Sequence, residues 1–136
     1  MPRFIAFDFG RRRTGIALTD PDAIIASPHG TFESNALWTE IERLVAAEPL
    51  AGFVLGVPGL LSGDRADSSA SIEKFGRQLR GRFPTVPLHH VDEDYTSSEA
   101  SAALVMGGMR KKKRREKGAL DRVAAALILQ RFLASR

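Results

Sequence analysis

The chain contains no cysteine. Disulfides, cysteine-ligated zinc and thiol nucleophiles are therefore excluded. It has no apolar run near the ~20 residues a bilayer-spanning helix needs. Met1-Pro2-Arg3 leads straight into a short strand-like segment, without the apolar core and small-residue cleavage site of a signal peptide. A cytoplasmic location is expected. Aromatic residues are few: Trp38 and Tyr95 are single examples of their kind, and both read as packing residues.

At 136 residues the chain reads as one domain, 1–136, large enough for a real core. Its charge is uneven. The stretch Arg110–Lys117 (RKKKRREK) holds seven basic residues and one acid, a net of +6, against +4 for the whole chain, so the remainder is mildly acidic at −2. Such a block marks either a surface that meets phosphate backbones or a solvated loop that only aids solubility. Glycines 107 and 108 precede it, and the region at about 107–118 is expected to be mobile.

Hydrophobic periodicity gives the element order β-β-β-α-β-α-β-α-α. Phe4–Phe7 is a short apolar run, Thr14–Thr19 a second strand, and Ile25–Phe32 a third, interrupted at Pro28. Short connections favour an antiparallel meander. Leu37, Ile41, Leu44 and Val45 then recur at helical spacing, with Ser34 or Asn35 as N-cap and Pro49 as stop. Gly52–Leu55 and Val86–Val91 read as further strands, and Ile72, Phe75 and Leu79 as a second helix. Thr96 and Glu99 form a capping box before a helix to about Met106. Leu120, Val123, Ala124, Leu127, Ile128 and Phe132 give the apolar stripe of a last helix. A meander followed by β-α-β units implies a mixed α/β sheet with helices on both faces.

Three acidic positions stand out. Asp8 closes the first strand, where it either caps the turn Phe9-Gly10 or holds a cation at a strand's carboxyl end. Asp92, Glu93 and Asp94 follow one another at the end of strand five; like charges this close call for a metal, a basic partner or full solvation. Alternation puts Glu93 on one face and Asp92 with Asp94 on the other. Asp121 lies seven residues, nearly two turns, before Ile128, so it shares the buried side of its helix or suits the helix dipole as a first-turn acid. Carboxylates converging on one side of a sheet are how an oxygen-rich Mg²⁺ or Mn²⁺ site is assembled.

Four segments in order then carry a resemblance over nearly the whole chain: FDFGRRRTGIAL, GVPGLLSG, VDEDYTSSEA and KGALDRVAAALILQRFL. They resemble the D-x-G-x-x-x-x-G opening, the G-x-P loop, the D-E-R-x-[ST]-[ST]-x-x-A segment and the closing D-x-x-A-A-x-x-I-L helix of the YqgF/RuvX family. These pre-16S rRNA nucleases, also called Holliday-junction-resolvase-like proteins, belong to the ribonuclease H-like superfamily. The resemblance implies a ribonuclease H-like fold with a five-stranded sheet whose first three strands are antiparallel. It implies Asp8, Glu93 and Asp121 as catalytic, metal-binding acids, with two Mg²⁺ or Mn²⁺ ions bridged by Asp8. One departure matters: Asp94 stands where the family has arginine.

On that reading precursor ribosomal RNA is the expected partner, with branched DNA or ribosomal particles as others, and the protein a monomer or weak homodimer. A non-catalytic RNA-binding assembly factor on the same fold is the competing class; a sugar-kinase-like ATPase would need two such lobes. Arg11, Arg12 and Arg13, with Arg110, Lys111, Lys112, Lys113, Arg114, Arg115 and Lys117, are expected to hold flanking phosphates. Gly10, Gly56, Pro58, Gly63 and Thr96 are expected near substrate, the glycines for close backbone approach. Asp64 is a reserve ligand. His89 and His90 read as half-buried strand residues rather than a general base. Neutralising Lys111–Arg115 is expected to weaken binding to all sequences alike and to flatten its salt dependence, measured by fluorescence anisotropy across a salt series.

Overall fold

A computed structural model describes residues 2–20, 25–57, 69–92 and 119–136, the last of these with side chains from residue 123 onward. Its elements run β1 (Arg3–Asp8), β2 (Arg13–Thr19), β3 (Ala26–Glu33), α1 (Ser34–Ala47), β4 (Leu50–Val57), α2 (Ser69–Arg82), β5 (Leu88–Asp92) and α3 (Ala119–Ala134). The expected helix after Thr96, the basic segment, and Pro58, Gly63, Asp64, Glu93, Asp94, Tyr95 and Thr96 lie outside the described residues.

One mixed sheet has the order β3-β2-β1-β4-β5. The first three strands form the expected antiparallel meander, with Ala6 opposite Ala17 and Asp8 opposite Gly15. β4 then pairs parallel to β1, and β5 parallel to β4. β1 is thus central, and its apolar run is explained: Phe4, Ile5, Ala6 and Phe7 are all buried.

Strand alternation divides these residues between two cores. Ile5 and Phe7, with Ile16, Phe53 and Leu55, meet Leu37 and Ile41 of α1 and Ile72, Phe75 and Leu79 of α2. Phe4 and Ala6, with Ala17 and Val54, meet Ala125, Ile128 and Leu129 of α3. Helices therefore cover both faces. Small residues line the α3 side and let the helix lie close. Gly52 makes room within the sheet itself: a Cβ there would stand 3.2 Å from the Phe4 ring, the His89 ring and the Pro87 carbonyl.

Phe132, near the end of α3, packs edge-on against Phe4 at the start of β1, with ring centroids 4.9 Å apart. Arg136 lies over the same Phe4 ring at 4.9 Å. So the C-terminal end of α3 lies over the start of β1, and its Arg131 reaches across to β5.

Several sequence expectations shift. Pro28 does not interrupt β3. It sits opposite Ala17 beside a bulge that takes up His29, and it is tolerated because β3 is an edge strand with no ladder bond to lose on its outer side. Glu33, not Ser34 or Asn35, occupies the N-cap of α1, without a side-chain cap bond. Ser34 is instead the first helical residue, and its hydroxyl is engaged elsewhere. Strand five begins at Leu88, because Val86 closes a turn by donating its N–H to the Phe83 carbonyl at 3.1 Å. The buried stripe of α3 includes Ala125 and Leu129, while Leu127 is only half-buried; a helix this apolar all round leaves its inward face to packing.

Ile128 is fully buried against the sheet. Ile128→Ala is expected to cost about 2–5 kcal/mol of stability with an unchanged denaturant slope, read from urea unfolding.

Candidate functional site

Asp8 is the last residue of β1 and is half-buried. It follows Phe4 and Ala6 on the strand's α3 side. Its direct partner across the antiparallel ladder is Gly15 of β2, on the same face. On the other flank, Phe7, Leu55 and His90 form one row across β1, β4 and β5. Asp8, Gly56 and Val91 are each the next residue along. The carboxylate therefore stands between two glycines, neither of which brings a side chain to that face. A carboxylate at a strand's carboxyl end can hold a cation, and the two glycines leave space beside it.

Gly56 was expected in a loop. It is a buried residue of β4, paired with Val91, and the strand continues to Val57. The second glycine of the opening motif was not singled out from the sequence as a site residue. Its signal was present, since Gly15 follows Asp8 by seven residues in a hairpin whose short turn brings the two opposite.

The turn from Phe9 to Arg12 carries the arginines. Gly10 is required there, because a Cβ would lie 2.5 Å from the Arg13 carbonyl oxygen. The buried Thr14 hydroxyl accepts the Gly10 N–H at 3.5 Å. The start of α1 clamps the turn from the other side. The Ser34 N–H donates to the Arg12 carbonyl at 3.0 Å. The Ser34 hydroxyl donates to the carbonyls of Arg11 and of Arg12, the latter at 3.2 Å. Arg11 and Arg12 are exposed, Arg13 is half-buried, and the three line a shallow cavity of about 440 Å³ with Glu33, Ser34 and Asn35. Held carbonyls thus fix the backbone while two guanidinium groups stay in solvent.

The histidines lie away from Asp8. His89 faces the α3 side on the edge strand β5, in the row of Ala6 and Val54, 4.7 Å from the Phe132 ring and 6.2 Å from Phe4. His90 is on the opposite face, exposed beside Arg77 and Arg80. Partial desolvation, then the nearby Arg80 and His89, lower its pKa below the usual histidine value. Trp38 is half-buried and packs on Phe75, as expected of a packing residue.

Asp92 ends β5. The Arg131 guanidinium donates to its backbone carbonyl at 3.0 Å, tying α3 to this strand end. Of the three expected metal-binding acids, Asp8 is described with its side chain, Asp121 lies within the first turn of α3, and Glu93 is the residue after β5. Among the described residues, no three His, Asp or Glu side chains gather into a metal-binding group. No described helix is long and apolar enough to cross a membrane.

The sheet order, the central acidic strand and the helices on both faces define a ribonuclease H-like α/β fold of the resolvase type. Two solved structures share it: Thermus thermophilus RuvC in complex with a Holliday junction substrate, at a TM-score of 0.60 and 12% identity over 100% of this chain and 96% of that one, and the Fowlpox virus resolvase with Holliday junction DNA, at 0.57 and 12% over 98% and 97%. Residues 2–135 match the RuvX family, described as Holliday junction resolvase. A Bacteroides thetaiotaomicron protein named "Putative pre-16S rRNA nuclease" is 37% identical over 136 residues, spanning 100% of this chain and 99% of that protein. A Chlorobium luteolum protein of the same name is 40% identical over 131 residues, spanning 96% and 93%. The chain belongs to the RuvX family.

Gly10→Ala is expected to destabilise the protein by about 1–3 kcal/mol, because the new methyl group meets backbone rather than a movable side chain. Thermal unfolding of the variant beside the parent measures it.

Proposed function

We propose that this chain is a divalent-metal-dependent nuclease that processes precursor 16S ribosomal RNA in the cytoplasm. The observation that carries the reading is Asp8: an acid at the carboxyl end of the central strand, on the α3 face, flanked by Gly15 and Gly56. Family membership supports nuclease chemistry, and the names of the full-length relatives support the RNA substrate.

Asp8, Glu93 and Asp121 are proposed to hold the metal. Asp8 offers hard carboxylate oxygens, the donor type that suits Mg²⁺ or Mn²⁺. Helix geometry favours Asp121 as a partner. From Asp121 to Phe132 the rise is about 16 Å, and from Phe4 to Asp8 about 13 Å. With Phe132 against Phe4, the similarity of the two lengths supports Asp121 as a partner of Asp8. Glu93 follows Val91 by two residues, and Val91 packs on the α3 side. When bound, Mg²⁺ or Mn²⁺ supplies Lewis acidity, lowering the pKa of water and neutralising charge that develops on the phosphate. The chain's own part is to orient the scissile phosphate: the glycines admit it beside Asp8, and Arg11 and Arg12 attract its neighbours. Arg110–Lys117 adds a sequence-independent attraction that rises as salt falls.

The family's description and the two junction complexes favour a second reading, cleavage of branched DNA. Binding without cleavage, as an RNA-binding assembly factor, is the third. One experiment separates them. A single-stranded RNA spanning a ribosomal precursor end and a four-way DNA junction are each incubated with Mg²⁺, Mn²⁺ or EDTA. Metal-dependent cutting of the RNA is expected, reduced more than about 100-fold by Asp8→Asn, since even outer-shell changes at metal sites cost 10–100-fold, with RNA binding in EDTA retained. Cutting of the junction alone moves the function to recombination. RNA binding without any cutting removes the nuclease reading.

A further inference from the structure

On the side of β1 opposite the Asp8 carboxylate, Phe9 stacks on Phe75 of α2, with centroids 4.5 Å apart and planes 14° apart. Trp38 of α1 meets the same Phe75 at 5.4 Å. Arg82 lies over the Trp38 ring at 4.1 Å and helps fix it. These rings floor an open cleft of about 300 Å³ between α1 and α2, rimmed by Arg11, Lys74 and Gln78. Phe75 is buried, whereas Phe9 and Trp38 are only half-buried and Lys74 and Gln78 are exposed.

An aromatic cluster at a helix junction is often just the edge of a core. Two features argue for more. First, the lining joins two cations to the rings and includes, among the described residues, no carboxylate, which favours an anionic ligand. Second, the cleft opens where β1 ends. Phe9 follows Asp8 directly, and Arg11 lines both this cleft and the arginine cavity beside it. Exposed ring surface under paired cations, with a side-chain amide alongside, matches the chemistry of an unpaired nucleobase and its phosphate: stacking for the base, Arg11 and Lys74 for the charge, Gln78 for a base edge. The volume is at the small end of ligand pockets and suits one base rather than a stretch of chain.

We propose that this cleft is a base-binding subsite that takes one unpaired nucleobase of the single-stranded substrate next to the nucleotide at Asp8. It rests on the nuclease reading for the identity of the strand. The subsite makes the enzyme selective for unpaired substrate, because a base held in a duplex cannot reach the cleft.

The sole tryptophan of the chain lies in the site, so its fluorescence reports occupancy directly. The intact protein is titrated in EDTA with an eight-residue oligoadenylate RNA and with an abasic strand of the same length. The oligoadenylate is expected to quench Trp38, and the abasic strand, which keeps the phosphates, is not. Phe9→Leu keeps an apolar side chain but removes the ring. It should weaken oligoadenylate binding by about 5- to 150-fold, the range for losing one base–aromatic stack, and leave abasic binding unchanged. Gln78→Ala, at an exposed helix position, should weaken oligoadenylate binding more than abasic binding without disturbing the fold. Equal quenching by both strands, or unchanged oligoadenylate affinity in Phe9→Leu, overturns the subsite. Cleavage is assayed separately in Mg²⁺. A wild-type chain that quenches but does not cut sinks the nuclease reading alone, and one that cuts without quenching sinks the subsite alone.

Discussion

The burial of β1 on both faces is the constraint from which the rest of the molecule follows. A strand covered on one side only could slip or twist away from its neighbours. β1 cannot, because Ile5 and Phe7 are locked into one core while Phe4 and Ala6 are locked into the other. A one-residue slip would exchange the two sets, driving Ile5 and Phe7 into the shallow space that Ala125 and Ala126 leave under α3. The register is therefore set, and Asp8 is the first residue of the strand to come out of the core. A carboxylate is tolerated there and not at the four positions from Phe4 to Phe7, where, fully buried and unpaired, it would cost several kcal/mol.

From this the two faces of the sheet take different characters. The α3 side is built from alanines and glycines, so the helix packs close and leaves Asp8 between Gly15 and Gly56. The α1/α2 side is built from phenylalanines and large aliphatic residues, and at the same end of β1 it finishes in the Phe9–Phe75–Trp38 cluster. One strand end thus presents an acid to one side and an aromatic surface to the other. Between them, the turn is held by Ser34, whose N–H and hydroxyl bind the Arg11 and Arg12 carbonyls. This explains why α1 begins with an uncapped Glu33: the serine that local sequence rules assign to the cap is recruited to a contact from a distant turn.

Charge plays a smaller part in holding the fold. The Arg82–Glu42 pair is exposed on both sides, and such a pair contributes at most about 1 kcal/mol; in the Arg43–Glu40 pair only the arginine is exposed. Their geometry matters more where it shapes a surface, as when Arg82 reaches from α2 across to Trp38 on α1. Stability comes from the two cores, and Arg11 and Arg12 at the turn after β1 stay exposed to solvent.

By itself the sequence determined the order of the described elements, the antiparallel start of the sheet and the main buried positions of α1 and α2, and it marked Asp8 as the acid that ends the first strand. These are legible because they depend on periodicity and on neighbours in the chain: alternation, helical spacing, and an acid-glycine pair at the end of an apolar run. Only the tertiary structure decided which residues flank Asp8, since Gly15 and Gly56 reach it through pairings across β2 and β4. It alone decided that Ser34 binds a turn rather than a helix end, that Pro28 is harmless on an outer strand, and that Phe9, Trp38 and Phe75 from three separate elements share a cleft. Long-range pairing has no local signature, because any of several registers satisfies the same alternation until both faces of the central strand are covered.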